Sequence, residues 1–570
     1  MLDNFKKLKL LLNNKEKKKI ILFIPLTLLL VFLETISIGL IIPIISYLLE
    51  NKNFINYAFL NPFIESIPRT DLIIYLLISL IVVYLVKNLY IIFYNWARMF
   101  LANSIQLRIS SQLLEVYFKA LYSEIFDRNS SELLRNIQTE TAKLRNIINH
   151  TIILFSEILV ILGIVILLSF INFKIIMIVL SVAVMLFFIY YLIIQNTVKE
   201  LGYENQKITK KFIQSILEKI SSLKIIRIFL KEEFFLNEFE KDMKKFQTNN
   251  LKLSIINLLP RIWIEFFGVT FLCVLFIILI NRSSDFNTIL TLLSLIGVVL
   301  IRLIPSINRV ATSLQALKYT TATFERISHD LSIKTNTLNN NQDHKIEFKD
   351  DIKIRNINFS FKKYNKNIFK DLNFEIKKNN LICIRGESGS GKSTFANIFA
   401  GLYQPDQGEF IVDDRIIKTS SLGWISKVGY VTQDTYLIDD TIKRNIAFGV
   451  EDSQIDEKKI NEIIELVQLK ELIETLPSNI NTIVGERGST LSMGQIQRVG
   501  IARALYRSTD ILLLDEVTSS LDQINTNKIY ELIKKMKTLK TIIVITHELL
   551  NDEIFDNIYE LKNNTLQKIL

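Results

Sequence analysis

The stretch Gly386-Glu387-Ser388-Gly389-Ser390-Gly391-Lys392-Ser393-Thr394 has the pattern G-x-x-x-x-G-K-S of a phosphate-binding loop. The apolar run 381–384 before it predicts a buried strand, and residues 395–400 after it can continue as a helix. This order of strand, loop and helix is the context that the motif requires. The glycines would let backbone N–H groups point at phosphate oxygens at a helix N-terminus. Lys392 would then contact the β- and γ-phosphates, and the Ser393 hydroxyl would bind Mg²⁺.

Acidic residues follow a second apolar run further along the chain. Residues 511–514 predict a buried strand, and Asp515 and Glu516 come directly after it. Carboxylates at the C-terminal end of such a strand suit Mg²⁺ and water beside a phosphate. Asp515 would hold the metal, through water, and Glu516 would orient and polarise the attacking water. His547 follows another predicted strand, 541–546, at the same edge, which favours a functional role over a structural one.

The region around these motifs has the pattern of an α/β domain. From about residue 346, short apolar runs alternate with helical segments. The stretch before it, residues 334–343, is polar and low in complexity, as linkers are. We therefore assign residues 346–570 to a nucleotide-binding domain and residues 331–345 to a linker.

The first half of the chain is much more apolar. Of the 570 residues 49% are hydrophobic, and those before about residue 310 come in long runs that predict membrane-spanning helices. The net charge of +11 could suggest nucleic acid, but basic cytoplasmic loops explain it, so no nucleic-acid partner is predicted. The predicted spans are residues 20–49, 72–94, 152–171, 175–194, 259–280 and 286–307.

The segments between the spans predict the topology. Lysines cluster in residues 1–19, which places the N-terminus in the cytoplasm. The first span is too long for a secretory signal, and no small-residue cleavage site follows it. The inside connections, about 95–150 and 196–250, are long, charged and poor in Pro and Gly, so they predict helices that continue the spans into the cytoplasm. The outside connections 172–174 and 281–285 are short. Residues 20–330 thus form the predicted transmembrane domain in a lipid bilayer.

The segment Leu491-Ser492-Met493-Gly494-Gln495 makes a resemblance to a known family specific. It resembles the LSGGQ signature of ABC transporter ATPases, with Met493 in place of the first glycine. Other motifs match in the family's order: Gln433 resembles the Q-loop glutamine, residues 485–488 the segment before the signature, Ser519-Ser520-Leu521-Asp522 the D-loop, and His547 the switch histidine. The whole chain resembles an ABC exporter half-transporter, a membrane α-helical domain of six transmembrane helices fused to an α/β P-loop ATPase domain.

This resemblance implies an ATPase coupled to transport, with ATP and Mg²⁺ as cofactors. Glu516, His547 and Gln433 would be catalytic, and Ser393, Gln433 and Asp515 would hold the metal. Phe361 resembles the aromatic residue that stacks on adenine, although it could be a strand core residue because Phe359 shares its face. Met493 could crowd the nucleotide and slow turnover. The implied nucleotide contacts are Phe361, Gly386, Glu387, Ser388, Gly389, Ser390, Gly391, Lys392, Ser393, Thr394, Ser492, Gly494, Gln495 and Asp522.

The resemblance also implies a homodimer. In this family each nucleotide is enclosed between one subunit's phosphate loop and the other subunit's signature, and this chain contains both. The dimer would be a multi-pass protein of a bacterial cytoplasmic (inner) membrane, with the N-terminus and the ATPase domain in the cytoplasm.

Two segments resemble a narrower group. Leu259-Pro260-Arg261-Ile262-Trp263-Ile264-Glu265 and Ile301-Arg302-Leu303-Ile304-Pro305-Ser306-Ile307-Asn308-Arg309 resemble segments of the lipid-linked oligosaccharide flippases of bacterial N-glycosylation (PglK type). This second resemblance implies a polyprenyl-pyrophosphate glycan as the substrate.

Cations within the apolar spans are the predicted contacts of that substrate: Lys87, Arg261, Arg302 and Arg309. At about 1.5 Å per residue they lie in the inner half of the membrane, and Arg302 and Arg309 share a face because about two helical turns separate them. A cation facing lipid costs about 2.5–3.5 kcal/mol, so such residues face a cavity or a partner. Arginine can bind a pyrophosphate with two hydrogen bonds at once. The alternative is that Arg261 pairs with Glu265 and that Lys87 and Arg309 extend to the interface.

Other functions stay open. An ABC exporter of another lipid, a drug or a peptide would carry the same ATPase motifs. Because only about 19 residues precede the first span, the sequence leaves no room for the N-terminal peptidase domain of some peptide exporters. An ABC ATPase without transport would not contain six apolar spans.

Overall fold

The computed structural model describes residues 11–41, 43–44, 68–126, 128–281, 286–333, 346–361, 366–519, 523–547 and 552–569. The chain divides into two compact units. The first consists of Met1–Phe118 and Arg128–Ile333, and the second of Lys119–Asp127 and Lys334–Leu570. The second unit thus includes a short segment from within the predicted transmembrane domain. Most of the predicted linker 331–345 lies outside the described residues.

The first unit is built of helices. In chain order the helices up to residue 331 are α1 Asn14–Gly39, α2 Arg69–Lys119, α3 Tyr122–Phe126, α4 Ser130–Arg135, α5 Thr141–Ser221, α6 Leu223–Ile228, α7 Glu232–Asn281, α8 Phe286–Tyr319 and α9 Thr321–Leu331. Of these, α3 belongs to the second unit. A π-helical turn, Asn136–Glu140, joins α4 to α5.

The first helix shows how local sequence fixes a helix end. Asn13 caps α1, its side chain accepting from the Glu16 N–H, and the Glu16 carboxylate accepts from the Asn13 N–H in return. This capping box satisfies N–H groups that the helix itself leaves unpaired. Arg108 of α2 pairs with the same Glu16, with Nε 2.6 Å from Oε1. The start of α1 is therefore tied to α2 as well as capped.

Five helical stretches of the described residues are long and apolar enough to cross a membrane. They contain the first five predicted spans in whole or in part. The sixth predicted span, 286–307, lies in α8, but most of its side chains fall outside the described set. The five stretches are Asn14–Gly39, Thr70–Lys119, Ser130–Leu167, Val184–Ser221 and Glu232–Ile278.

Helical backbone runs through 172–174, where the sequence predicts a connection between two spans. The contacts of α5 nevertheless require the chain to reverse between residues 150 and 190. His150 Nδ1 lies 3.3 Å from Ser313 Oγ, and Gln315 Nε2 donates to the Tyr190 hydroxyl at 2.5 Å. Forty residues of straight helix would separate His150 and Tyr190 by about 60 Å, yet both contact the same part of α8. The two halves of α5 are therefore antiparallel, as two neighbouring spans would be.

The second unit contains two sheets. The strands are β1 Asp351–Phe361, β2 Lys366–Lys377, β3 Leu381–Arg385, β4 Gln407–Val412, β5 Arg415–Ile417, β6 Val428–Val431, β7 Ile511–Asp515, β8 Thr541–Thr546, β9 Asn557–Lys562 and β10 Thr565–Lys568. The first sheet is antiparallel, in the order β2-β1-β4-β5. The second sheet has the order β10-β9-β3-β8-β7-β6, and only β10 is antiparallel to its neighbour. The helices are α10 Lys392–Phe399, α11 Leu422–Ile425, α12 Ile442–Ile446, α13 Glu457–Leu466, α14 Lys470–Thr475, α15 Met493–Tyr506 and α16 Gln523–Met536.

The six-stranded sheet separates two hydrophobic cores. Along β3, Leu381 and Cys383 face one core, whereas Ile382 and Ile384 face the other. Successive side chains of a strand point to opposite faces, so a strand buried on both faces is apolar throughout. This explains the uninterrupted apolar run before the phosphate loop, and it holds the ends of β3, β7 and β8 side by side at one edge.

Candidate functional site

The phosphate loop connects β3 to α10. Gly389 and Gly391 have φ values of 80° and 107°, in the region that disfavours residues with a Cβ. A Cβ on Gly391 would also lie 2.9 Å from Ile368 Cγ2. Gly391 caps α10, so the loop delivers the chain directly into the helix N-terminus. The predicted strand–loop–helix arrangement is what the structure contains.

Lys392 lies inside this loop. Its side chain is 5% exposed, and Nζ donates to the carbonyl oxygens of Gly386 at 2.8 Å and Glu387 at 3.0 Å. Nζ is also 3.6 Å from Glu516 Oε1. The ammonium group is therefore held by neutral carbonyls and one carboxylate. A phosphate entering the loop would offer it stronger, charged acceptors.

Asp515 is buried at the end of β7, 3% exposed. Its Oδ2 accepts from the Tyr430 hydroxyl at 3.1 Å, whereas Oδ1 is buried without a hydrogen-bond partner among the described residues. Burial raises the pKa of the Asp515 carboxyl, although the Tyr430 hydroxyl that is hydrogen-bonded to Oδ2 and the nearby Ser393 hydroxyl oppose the rise. Burial likewise raises the pKa of Tyr430, which keeps its hydroxyl protonated as the donor.

The unpaired oxygen fits a hard cation. Mg²⁺ prefers oxygen ligands and is commonly bound by one or two carboxylates together with substrate phosphates. Asp515 Oδ1 and the neighbouring Ser393 hydroxyl are such oxygens. No cluster of three or more His, Cys, Asp or Glu side chains that could hold a metal by itself occurs in the described part of the chain. The donor set therefore suits a metal that arrives with a nucleotide.

Glu516 sits between two of the other predicted residues. Its Oε1 is 3.3 Å from His547 Nδ1 and 3.6 Å from Lys392 Nζ. Its φ of 49° is unusual for a residue with a side chain, and its N–H donates to Ile545 O at 2.9 Å. Such backbone strain is concentrated at functional sites, where it aims a side chain. The structure thus brings Lys392, Asp515, Glu516 and His547 to one sheet edge.

Gln433 follows β6 with an exposed side chain. Its backbone carbonyl accepts from Gln497 Nε2 at 2.6 Å, and the Thr435 hydroxyl donates to Gln497 Oε1 at 2.9 Å. Gln497 belongs to α15 and is 1% exposed. The helix that carries the signature therefore holds the backbone of the Q-loop segment.

The signature residues form the start of α15. Ser492 caps the helix, and the side chains of Ser492 and Gln495 exchange hydrogen bonds with each other's N–H groups. Met493 occupies the first helical position and is 46% exposed. Among the described residues no hydrogen bond joins Ser492, Gly494 or Gln495 to the phosphate loop. Asp522 lies outside the described residues.

Phe361 ends β1 and is half-buried. Its ring lies 5.1 Å from Phe359 and 5.8 Å from Tyr403, edge-on to both, while Phe359 and Tyr403 stack on each other at 5.6 Å. Phe359 is thus the core residue of this pair, and Phe361 packs on the margin of that core. Tyr403 also contacts the ring of Tyr122 from α3 at 5.9 Å.

The four intramembrane cations all have neighbours. Arg302 pairs with Glu34 of α1, and Arg309 pairs with Glu157 of α5, with Nε 2.5 Å from Oε1. Lys87 is 6% exposed, with Nζ 3.8 Å from the centre of the Tyr84 ring. The sequence did not predict these three neighbours, Glu34, Glu157 and Tyr84.

Arg261 is different. It is exposed and pairs with Glu265 on its own helix, Nε 2.8 Å from Oε1, which is the alternative weighed from the spacing. The structure therefore does not place Arg261 with the other three cations.

Several residues of the site carried signals that sequence reasoning missed. Glu34 and Glu157 are isolated carboxylates in apolar runs, the same signal that singled out the cations. Gln497 and Tyr430 lie within four residues of recognised motifs, but their side chains gave no sign of what they contact.

Two families match this chain. Residues 369–519 match the family described as ABC transporter, and residues 20–303 match the ABC transporter transmembrane region. The two matches fall on the two halves of the chain and together cover most of it.

Curated relatives match over part of their length. A multidrug resistance ABC transporter ATP-binding and permease protein of Lactococcus lactis subsp. lactis (strain IL1403) is 32% identical over 274 residues, 48% of this chain and 46% of that protein. An ATP-dependent lipid A-core flippase of Syntrophus aciditrophicus (strain SB) is 29% identical over 340 residues, 58% of this chain and 55% of that protein. The chain thus matches about half the length of these relatives.

A solved structure has the same fold. A bacterial Atm1-family ABC exporter with ATP bound superimposes with a TM-score of 0.80 at 17% identity, covering 97% of this chain and 95% of that one. At this identity the likeness concerns the fold alone. It confirms the predicted fold class, a transmembrane helical domain fused to an ABC ATPase domain.

Proposed function

We propose, because its two halves match the ABC transporter family and the ABC transporter transmembrane region, that this chain is an ATP-driven exporter. Its proposed activity is to flip a lipid-linked oligosaccharide across a bacterial cytoplasmic membrane. The substrate class is a glycan carried on a polyprenyl pyrophosphate. The observation that carries this choice is a pair of intramembrane arginines, Arg302 and Arg309, on one face of α8.

Hydrolysis of ATP is assigned to the edge where β3, β7 and β8 end. Lys392 releases the carbonyl oxygens of Gly386 and Glu387 and binds phosphate oxygens instead. It thereby keeps the phosphates in the loop. Glu516, held between Lys392 and His547, orients and polarises the attacking water by accepting a hydrogen bond from it. Asp515 and Ser393 would supply oxygens to Mg²⁺, which when bound would neutralise phosphate charge. Phosphoryl transfer depends almost entirely on such positioning and electrostatic stabilisation.

A homodimer is the proposed assembly. The signature of this chain makes no hydrogen bond to its own phosphate loop among the described residues, which suits a nucleotide held between two subunits. The cytoplasmic turn between α5 and α7 is also strongly apolar and exposed, with Ile228 at 67%, Phe229 at 67% and Leu230 at 81%. An exposed apolar cluster of this kind is a feature of interaction surfaces. We assign it to contact with the second copy.

The cargo assignment starts from the charges in the membrane. Arg302 and Arg309 lie on one face of α8 and are neutralised by Glu34 and Glu157. A pyrophosphate entering between these helices would offer each guanidinium a doubly charged, bidentate acceptor. The carboxylates keep the cations stable in the membrane until then, because an unpaired charge there is costly.

An apolar cavity borders the same part of α8. It has a volume of about 50 Å³ and is lined by side chains of α5, α7 and α8, among them Phe187, Phe267 and Leu303. Because successive residues of a helix point about 100° apart, the lining residue Leu303 lies on a different face of α8 from Arg302 and Arg309. The helix thus offers cations on one face and apolar surface on another, a combination that suits a lipid with an anionic head and a hydrocarbon chain. The lining is wholly apolar, so export of an uncharged drug is the second candidate.

Proteoliposomes can separate these two cargoes. Purified protein would be tested for ATP hydrolysis and flipping with a polyprenyl-pyrophosphate glycan, the same glycan on an uncharged polyprenyl chain, and an apolar dye. We expect stimulation and flipping only with the pyrophosphate. Stimulation by the dye and the uncharged lipid, but not by the pyrophosphate, would favour the drug exporter.

A matched pair of variants tests the arginines themselves. Arg302→Gln with Glu34→Gln removes both charges of one pair, so neither helix keeps an unpaired buried charge. Arg261→Gln with Glu265→Gln does the same for an exposed pair. We expect the first variant to lose flipping of the pyrophosphate lipid and the second to retain it. Flipping that survives combined loss of Arg302 and Arg309 would rule these arginines out as the substrate's contact.

A further inference from the structure

We infer that Tyr430 is a positioning residue for the metal–nucleotide complex, because its hydroxyl fixes the Asp515 carboxylate with one oxygen free for the metal. This inference rests on the proposed ATP hydrolysis at the phosphate loop. It assigns a role to a residue outside all the motifs that identified the site.

The Tyr430 hydroxyl lies within hydrogen-bond distance of the Asp515 carboxylate. Tyr430 lies on β6, directly beside β7, and pairs in register with Leu513, two residues before Asp515. Its Oη is 3.1 Å from Asp515 Oδ2 and 3.4 Å from Asn397 Oδ1 on α10. A phenol has one proton to donate, and a carboxylate is the stronger and closer acceptor. The hydrogen bond therefore belongs mainly to Asp515.

The consequence concerns rotation of the carboxylate. The terminal torsion of an aspartate is broad, so an unconstrained carboxylate can present either oxygen in many directions. Tyr430 holds Oδ2, and Oδ1 is left buried and unpaired. Because Asp515 is 3% exposed, water cannot easily take over the role of the hydroxyl. The free oxygen is thereby aimed before the metal arrives.

Hydrogen-bond partners of metal-binding carboxylates have measurable effects. Their loss typically weakens metal binding ten- to a hundredfold. A purely structural role for Tyr430 predicts a different result, namely a lower thermal stability with unchanged metal dependence. The two roles can therefore be separated by measuring metal binding apart from stability.

The test uses Tyr430→Phe in the full-length protein, which keeps the ring and removes only the hydroxyl. ATP binding is first measured in EDTA with a fluorescent ATP analogue, and Mn²⁺ binding in the presence of ATP is then followed by electron paramagnetic resonance. We expect the Mn²⁺ concentration for half-saturation to rise about ten- to a hundredfold. The ATP affinity in EDTA should stay within about twofold, and half-maximal ATP hydrolysis should require correspondingly more Mg²⁺.

Tyr559→Phe is the matched control. Tyr559 is another buried tyrosine of the same unit, whose hydroxyl donates to Glu375 O at 2.9 Å. It should lose stability without any change in metal dependence. All metal data are normalised to the protein that binds ATP in EDTA, so a poorly folding variant still gives a result.

Four outcomes oppose the inference or its premise. Unchanged Mn²⁺ binding by Tyr430→Phe would overturn it, and so would an equal shift in Tyr559→Phe. A shift caused instead by Asn397→Leu would show that the hydroxyl serves Asn397. If the unmodified protein fails to bind ATP in EDTA or with Mg²⁺, the proposed function itself is wrong.

Discussion

At the scale of single residues, Glu516 is the group whose removal should separate binding from hydrolysis. Its carboxylate contacts Lys392 and His547, and its backbone is held in an uncommon conformation. Glu516→Gln keeps the shape but removes the charge that polarises water. We expect ATP to bind normally and hydrolysis to fall at least about a hundredfold. Steady-state hydrolysis and ATP binding measured on the same preparation check this, and near-normal turnover would assign the water to another group.

The Glu34–Arg302 pair allows a second prediction at the residue scale. Side chains of the two residues are 7% and 25% exposed, so each charge depends on the other. Removing one partner of a buried ion pair typically costs about 3–5 kcal/mol, whereas replacing both costs far less. We expect Glu34→Gln to lower the thermal unfolding temperature in detergent more than Glu34→Gln combined with Arg302→Gln. Equal losses would indicate that the two charges do not interact in the native protein.

At the scale of elements, the end of α9 is fastened by one carboxylate. Asp330 is 1% exposed and accepts from the Tyr117 hydroxyl at 2.6 Å, from Asn136 Nδ2 at 2.6 Å and from Arg128 Nη1 at 2.9 Å. These donors lie on α2, on the π-helical turn and just before α4. A single side chain thus joins α9 to the elements around the turn from α2 into α5. π-Helical turns are frequent at functional sites, which makes this junction a candidate hinge.

The charge on Asp330 makes this junction sensitive to acid. Burial alone would raise the pKa of Asp330, but hydrogen bonds from Tyr117, Arg128 and His329 outweigh it, so the pKa is lowered in the folded protein. A lowered carboxylate pKa stabilises the fold above the unfolded value of about 3.9 and loses this effect as the pH falls below it. Asp330→Asn should therefore be less stable than the unmodified protein by about 1–3 kcal/mol at pH 7.

The measurement follows from that sign. Thermal unfolding of both proteins in detergent would be compared between about pH 7 and pH 3, and we expect the difference to shrink only at the acid end. Glu462→Gln, which neutralises an exposed carboxylate of the second unit, is the control and should change stability little. A difference that stays constant over the whole range would mean that the charge of Asp330 is not what stabilises the junction.

At the scale of the whole molecule, the shared nucleotide site can be tested by how two mutations are distributed. Mixed dimers would carry Lys392→Ala and Ser492→Arg either both in one subunit or one in each subunit. If loop and signature of different subunits form each site, the first dimer has no intact site and the second has one. We expect hydrolysis to be nearly abolished in the first and retained in part in the second. Sites formed within single subunits would give the reverse order.

The sequence by itself determined the features that depend on residues close together in the chain. The phosphate loop, the acidic residues after β7, the apolar spans and the Arg261–Glu265 pair are all short-range patterns, since each is set by helix or strand periodicity or by a motif of a few residues. Parallel strands bring their carboxyl ends to one edge, so the meeting of Lys392, Glu516 and His547 was also predictable. The helical backbone at 172–174 was not predicted. The sequence Asn-Phe-Lys contains no residue that must end a helix.

Only the tertiary structure decided which side chains complete these groups. Arg302 pairs with the carboxylate of Glu34 on α1, 268 residues earlier in the chain. Asp515 accepts a hydrogen bond from the hydroxyl of Tyr430 on the neighbouring strand, 85 residues earlier. Lys87 lies over the Tyr84 ring, whereas the sequence predicted a contact with the substrate or, as the alternative, extension to the interface. A hydrogen bond or ion pair between distant residues leaves no periodic signal, because its geometry is set by how helices and strands pack. The residues that carry the chemistry of the site can therefore be recognised from short stretches of sequence. The side chains that pair with their charges are determined by how the helices and strands pack.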